Sequence, residues 1–572
     1  MVPERMIDAN IYPSRNAYAS KKIEKEFLLF SSTKAGHVCL SPTQEITNYL
    51  DYAEKIGSEF DWVQLHSGDI FNHSPLEKYP NCGFDVDEKT NCFIDEAISV
   101  CKARGKKVCY MIGNLTPLDS LLEAYPEVRN LHNGLFFELI HDVVCGIFKR
   151  FPTLDEVGFY FFECPTILHY TNFFRNMHYG HVINEDVMKN HRDIWADQEA
   201  HAYPYLTDGD HLRLISQAAA QACKECGKTF RVLTHVWFPF QEEMLYEAFR
   251  DFPTDLPLLL EHNYTTGDFN PHLPAPGLIR RLPHLHHAIV FCCGMEYHGL
   301  GLVPCCFPED IQAVIHQAME ETPNLDKIVI RPVWDGFSAL NTPNEINVFT
   351  VLRSADQPKV DTDDLWDEWI QMKYGLTGDN ALKLADALRK SYKVVSDVFF
   401  EFGIRANDHS HIPAFHHLES RLHNYGKAIK QWASTPQNRQ NVHDLLVNPG
   451  RKILRLQREK HEDALKLIKE ALSQVNDLRE FMKEEDINDI CRRYEDMYTW
   501  VTLHEDEYDA YVRLLIHRRN PSPENTAAAA EAMARLKMLT DKIRSGEIRN
   551  NYLFSLDHVD DFVSECSKQF GI

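Results

Sequence analysis

Residues 257–270, PLLLEHNYTTGDFN, and residues 286–299, HHAIVFCCGMEYHG, decide how this chain is read. Each holds a short apolar run, LLL at 258–260 and AIVFCC at 288–293, and each run leads on to a carboxylate, Asp268 and Glu296. Continuous apolar runs of this length, flanked by turn residues, suit strands buried on both faces, as in a parallel barrel. In such a barrel the loops that follow the strands build the active site. Two acids delivered there by successive strands are what glycosidic-bond hydrolysis requires on the side from which water attacks.

Working outward, the same strand-then-helix unit repeats eight times. Strands are predicted at Glu26–Ser32, Trp62–His66, Lys107–Asn114, Val157–Glu163, Phe230–Phe238, Leu258–Asn263, Ala288–Glu296 and Lys327–Trp334. Helical patterns lie between them at Thr43–Ile56, Ile94–Arg104, Phe136–Arg150, His211–Cys226, Glu242–Arg250 and Glu309–Glu321. The short, proline-flanked APGLIRRLPHL gives the weakest helical pattern. Eight alternations predict an α/β fold, a (β/α)8 TIM barrel, over 26–358, with an N-terminal extension at 1–25. From about residue 361 the strand signals stop. RKILRLQREKHEDALKLIKEALSQVNDLREF and similar stretches carry apolar residues at three- and four-residue spacing, and TAAAAEAMARLKMLTDKIRSG is a strong helix former closed by glycine. They predict an all-helical C-terminal domain over 359–572, a packed bundle rather than a coiled coil.

The stretch that opened this reading resembles the inverting α-glucuronidases that trim xylan side chains. The counterparts of that family's two motifs are Gly267-Asp268-Phe269 and Met295-Glu296-Tyr297-His298-Gly299, and the 28-residue step between the acids is the family's own. The resemblance extends to Asn344, Glu345 and Asn347, for which a structural role is expected: capping and tying the barrel's last helix. It implies that Asp268 and Glu296 activate water, and that the helical domain mediates a homodimer. The family's acid follows a similar strand but aligns with Thr166 here, so Glu163, which ends GFYFFE, takes the acid role by its place on the fourth strand. Its apolar neighbours would keep its proton on near neutral pH. Where the family meets a uronate with basic residues on strands four to six, this chain has Phe162 or a neighbour, His235 and Asn263. A carboxylate buried without a cation is costly, which opens the substrate class to neutral sugars.

Further substrate contacts are expected from His235, Trp237, His262, Asn263, Tyr297, His298, Trp334 and Asp335, all placed by strand position toward the same rim. A strand-end histidine also commonly satisfies a local hydrogen bond. The aromatic-rich connection from Cys164 to Asp210 is long for a compact barrel, and such loops usually act as lids.

Composition narrows the field. A chain of 572 residues exceeds one core, and 44% hydrophobic with 11% aromatic content describes an ordered globular protein. The net charge of −24 argues against nucleic acid or an anionic membrane surface as partner. No apolar run nears the roughly 20 residues that span a bilayer, and the polar N-terminus carries no signal peptide pattern, which predicts a cytoplasmic protein. Fifteen cysteines fit that as reduced thiols. Cys223 and Cys226 form a CxxC without a second pair at zinc spacing, and the 29 histidines show no HExxH, so no metal or other cofactor is expected. The sequence therefore predicts a glycoside hydrolase acting on an α-linked sugar or uronic acid of short oligosaccharides. Two alternatives stand beside it: a carbohydrate-binding or regulatory barrel without turnover, and a metal-dependent lyase or isomerase using the rim histidines.

Overall fold

The structure is a computed structural model. It describes residues 22–30, 41–66, 73, 78–79, 86–113, 115, 119–129, 134–160, 208–234, 239–264, 277–293, 296, 299–334, 337–401, 404–405, 410–415, 418, 436–549 and 556–570. The first part of the chain runs β1 (Glu24–Phe30), α1 (Pro42–Lys55), β2 (Trp62–His66), α2 (Glu88–Ala103), β3 (Lys107–Ile112), α3 (Asp119–Ala124), α4 (Leu135–Arg150), β4 (Glu156–Tyr160) and α5 (Asp208–Glu225). It continues with β5 (Thr229–Thr234), α6 (Pro239–Phe249), β6 (Leu258–Tyr264), α7 (Gly277–Arg281), β7 (His286–Cys292), α8 (Pro308–Glu321) and β8 (Leu325–Arg331). β1 to β8 pair in order, all parallel, and β8 closes on β1. This is the TIM barrel the alternation predicts.

Every predicted strand is present, but β7 and β8 end earlier than predicted. β7 stops at Cys292 rather than running to Glu296, and β8 stops at Arg331. Beyond it Val333–Trp334 (β9) turns back on Phe337–Ser338 (β10) as an antiparallel hairpin. The strands end where their ladder ends, since Cys292 and Arg331 are the last partners in the β7–β8 register.

Alternate strand positions fill the barrel's interior. Leu28, Met111, Leu233, Val290 and Val329 form an apolar layer there. Toward the strands' amino ends the filling turns ionic. Arg231 reaches Glu26 (2.9 and 3.0 Å), Glu261 (2.7 Å) and Glu156, while Lys327 binds Glu156 (2.6 Å) and sits 3.2 Å from the centre of the Trp62 ring. Gln64 donates to Glu261 at 2.5 Å. Gly158 makes room for this filling: a Cβ there would lie 2.1 Å from Met111 Sδ and 3.0 Å from Arg231 Cβ.

After α9 (Glu345–Asp356) the chain is helical: α10 (Thr362–Tyr374), α11 (Asp379–Val398), α12 (Pro436–Val447), α13 (Arg451–Asn476), α14 (Glu484–Arg519), α15 (Pro523–Arg544) and α16 (Leu556–Phe570). α11 packs on α13, α13 on α14 and α14 on α15, burying Tyr494, Trp500, Tyr508 and Tyr511. Gly546, with φ 77°, closes α15, as the sequence predicts. One detail departs from the all-helical expectation: Phe400–Glu401 (β11) pairs with Ile404–Arg405 (β12) in a short hairpin. Among the described residues no helix is long and apolar enough to cross a membrane.

Candidate active site

Glu296 lies in the turn that follows β7, at the carboxyl end of the barrel, and is 7% exposed. Arg331, the last residue of β8, meets it there, with Nη2 2.7 Å from Glu296 Oε2. Both side chains are largely withdrawn from water, where opposite charges attract more strongly than in bulk solvent. The guanidinium and the carboxylate form a close ion pair.

The loop carrying Glu296 has left the sheet, so its backbone groups need other partners. They find them in side chains from later in the chain. Ser410 Oγ donates to the Glu296 carbonyl (2.7 Å) and accepts from the Gly299 N–H (2.9 Å). Asn344 accepts from Cys305 N (2.6 Å) and donates to the Val303 carbonyl (3.1 Å). Asn347 accepts from Phe307 N (2.9 Å) and donates to the Cys305 carbonyl (2.8 Å). From the helices, Ser391 of α11 accepts from Cys306 N (3.0 Å), and Arg493 of α14 donates to the Gly301 carbonyl (2.5 Å). Positive φ at Gly299, Leu300 and Gly301 gives the loop its tight path.

The tying role expected of Asn344, Glu345 and Asn347 is therefore present, with a correction. Asn344 makes no side-chain cap to α9; its amide is spent on the loop after β7. Glu345, fully buried, accepts from Asn341 N (2.7 Å) and Lys373 (2.8 Å).

The other sequence-predicted contacts divide. His262 does not face the barrel mouth. It alternates with inward-facing Glu261 and is enclosed between strands and helices, with Thr234 Oγ1 3.1 Å from Nδ1 and His287 Nδ1 2.9 Å from Nε2. His287 Nε2 must donate to the Leu282 carbonyl at 2.9 Å, so His287 Nδ1 accepts from His262 Nε2, and the bare His262 Nδ1 shares the one Thr234 hydroxyl proton with the Glu261 carbonyl, 3.0 Å from Thr234 Oγ1. Burial holds both rings neutral, His287 down to about 4. His262 is a satisfied core histidine. Asn263 and Trp334 are described in backbone alone, paired with Val290 and Phe337. Glu163, Asp268, His235, Trp237, Tyr297, His298 and Asp335, with the connection from Cys164 to Thr207, lie outside the described residues.

Arg331, Ser410 and Arg493 escaped the sequence reading. A cation closing a strand was a usable signal for Arg331; the other two act from the helical region and leave no local pattern. His66 and Tyr160, whose rings lie 6.4 Å apart, also stand at the carboxyl ends of their strands. A cavity of about 460 Å³ opens beside the mouth, between α1 and the β9–β10 hairpin, lined in part by Glu45, Tyr52, Ser338 and Asn341.

No protein-family model and no curated protein sequence matches the chain. Solved structures do. A GH138 enzyme targeting the pectin rhamnogalacturonan II is similar over 91% of this chain, at 13% identity and a TM-score of 0.55. The chain spans 62% of that enzyme's length. Two further structures are similar at lower TM-scores: an O-GlcNAc hydrolase mutant from Thermobaculum terrenum (10% identity, 96% of this chain and 94% of that one, TM-score 0.39) and a GH115 4-O-methyl-α-glucuronidase with specificity for decorated arabinogalactans (8% identity, 92% and 59%, TM-score 0.40). All three are glycoside hydrolases, and at such identities the likeness is one of fold.

Proposed function

We propose that this protein is a glycoside hydrolase that removes an α-linked sugar or uronic acid from short oligosaccharides with inversion. The observation that carries the reading is Glu296: a carboxylate at the carboxyl end of the barrel, paired with Arg331, on a loop held from several later elements. Functional side chains of TIM barrels gather at that end. The similar fold of the GH138 enzyme supports the same class.

In this mechanism Glu296, together with Asp268, takes a proton from the attacking water. In it Glu163 protonates the leaving oxygen from the opposite face of the ring; inversion requires a separation of about 6.5–9.5 Å between acid and base. Arg331 restores a cation to a mouth that lacks one at the strand-four to strand-six positions of the resembled family, which keeps a uronic acid within the substrate class.

The leaving group tests the assignment of the acid. Proton donation matters most when the departing alkoxide is a strong base. Glu163→Gln should keep much of its turnover on nitrophenyl glycosides and lose it on oligosaccharides. Equal loss on both would remove Glu163 from the acid role.

A further inference from the structure

The outer face of the barrel carries a group of side chains that the catalytic reading does not use. α4 presents His141 and Cys145, four residues apart and so on one face. α5 packs against α4 and ends in Glu225, with Cys226 directly after it. One ligand atom each from His141, Cys145 and Glu225 lies within 4.8 Å of the other two, the one such group among the described residues, with the Cys226 sulfur outside it. His141 Nε2 is 3.1 Å from Glu225 Oε2, and the Cys226 thiol lies near enough to Cys145 to bear on its ionisation. Cys223, the other half of the CxxC, points into the core and takes no part.

We propose that His141, Cys145, Glu225 and Cys226 form a zinc site that clasps α4 to α5. Two thiolates, an imidazole and a carboxylate are a ligand set of the kind zinc takes, and four protein ligands make a closed, structural site rather than a catalytic one. The surroundings fit. His141 Nδ1 faces Asp142 Oδ1 at 3.4 Å, the carboxylate–histidine relation that orients metal-bound imidazoles. Each coordinating thiol gives its proton to solvent as its sulfur binds the ion. The helices so joined flank β4, and the site lies on the outside of the barrel rather than at the mouth.

The test is metal binding by the full chain, reduced beforehand so that a Cys145–Cys226 disulfide cannot block the ligands. Dialysis against zinc, then metal analysis, should find about one ion per chain, as a single closed site requires. Cobalt in its place should give an intense thiolate-to-cobalt charge-transfer band with tetrahedral ligand-field bands. Cys145→Ser and Cys226→Ser should each weaken that band and the double variant should lose it, Asp142→Asn should weaken binding about 10–100-fold, and Cys101→Ser, a buried thiol elsewhere, should change nothing. His141→Gln, at a partly exposed position, gives a variant that folds if the thiol variants do not, and it too should lose the metal. A reduced chain that takes up no zinc, or a Cys145→Ser/Cys226→Ser double variant that binds cobalt as the wild type does, would overturn the proposal.

Discussion

Arg331 Nη2 and Glu296 Oε2, 2.7 Å apart, join the end of β8 to the loop after its neighbour β7 at the mouth of the barrel. If the carboxylate serves the reaction and the guanidinium aims it, the two act as one unit, and units are not additive under mutation. Arg331→Met should lower kcat about 10²-fold or more, on the order of 3 kcal/mol of transition-state stabilisation. Combined with Glu296→Gln it should cost little beyond the worse single variant. Losses that simply multiply in the double variant would mean that the two residues work independently.

The helical region should matter to turnover as well as to folding. Ser410 makes both of its hydrogen bonds to the backbone of the Glu296 loop. Ser410→Ala keeps the backbone conformation a non-glycine residue already holds there at φ 67° but removes those bonds, each worth about 1 kcal/mol. The expected result is a roughly tenfold fall in kcat, since a small misplacement of a reacting group is expensive, with little change in KM. Unchanged kcat alongside a lowered Tm would assign Ser410 to stability alone.

The ionic filling of the barrel gives two stability predictions. Arg231 answers three carboxylates, so Arg231→Met should cost about 3–5 kcal/mol through the uncompensated charge it leaves behind. Burial opposes ionisation of Glu156 too, yet Arg231 and Lys327 outweigh it and hold that carboxyl below its usual range. For Glu261 burial wins over Arg231, and its carboxyl is pushed up to about 7 from 4.5. A raised carboxyl binds its proton more tightly in the folded than in the unfolded chain. Its contribution is therefore full below about pH 4.5 and is lost as pH rises through about 7. Denaturant unfolding at a series of pH values should show wild type falling relative to Glu261→Gln across that window, by on the order of 3 kcal/mol. A pH-independent difference would contradict the assignment.

The helical core offers a test of the opposite sign. Glu507 is fully buried, neither carboxylate oxygen has a hydrogen-bond partner among the described residues, and burial pushes its carboxyl well above the usual range. Glu507→Met fills a similar volume without the desolvation cost and should raise stability by about 1–3 kcal/mol. Thermal unfolding at neutral pH reads it directly, and a lowered Tm would mean that the carboxyl has a partner in solution.

The fold was legible because strands buried on both faces leave continuous apolar runs, and Phe27–Leu29, Leu258–Leu260 and Ala288–Cys292 each do so. The strand ends were not, because composition does not say where a neighbour stops: HHAIVFCCGME stays apolar past Cys292, but β8 has no further partner to offer. Glu296 was legible as an acid following a strand. Its supports were not, since Arg331, Ser410 and Arg493 are 35, 114 and 197 residues away in sequence and meet it or its loop only in the folded chain. His262 misled for the converse reason: a histidine one residue from the strand's inward parity faces the helices, where Thr234 and His287 satisfy it. The zinc ligands hid in the same way, split between two helices.

The central claim is that Glu296 belongs to the chemistry of a glycoside hydrolase, and one comparison tests it most directly. Wild type and Glu296→Gln would be assayed side by side on a panel of aryl α-glycosides and uronides and short oligosaccharides, with thermal unfolding measured on the same samples. The account predicts that wild type turns over at least one member, and that Glu296→Gln loses about 10³-fold or more in kcat while its Tm stays within a few degrees. Turnover by the variant within a factor of a few of wild type, or a folded wild type that cleaves nothing on the panel, would contradict it.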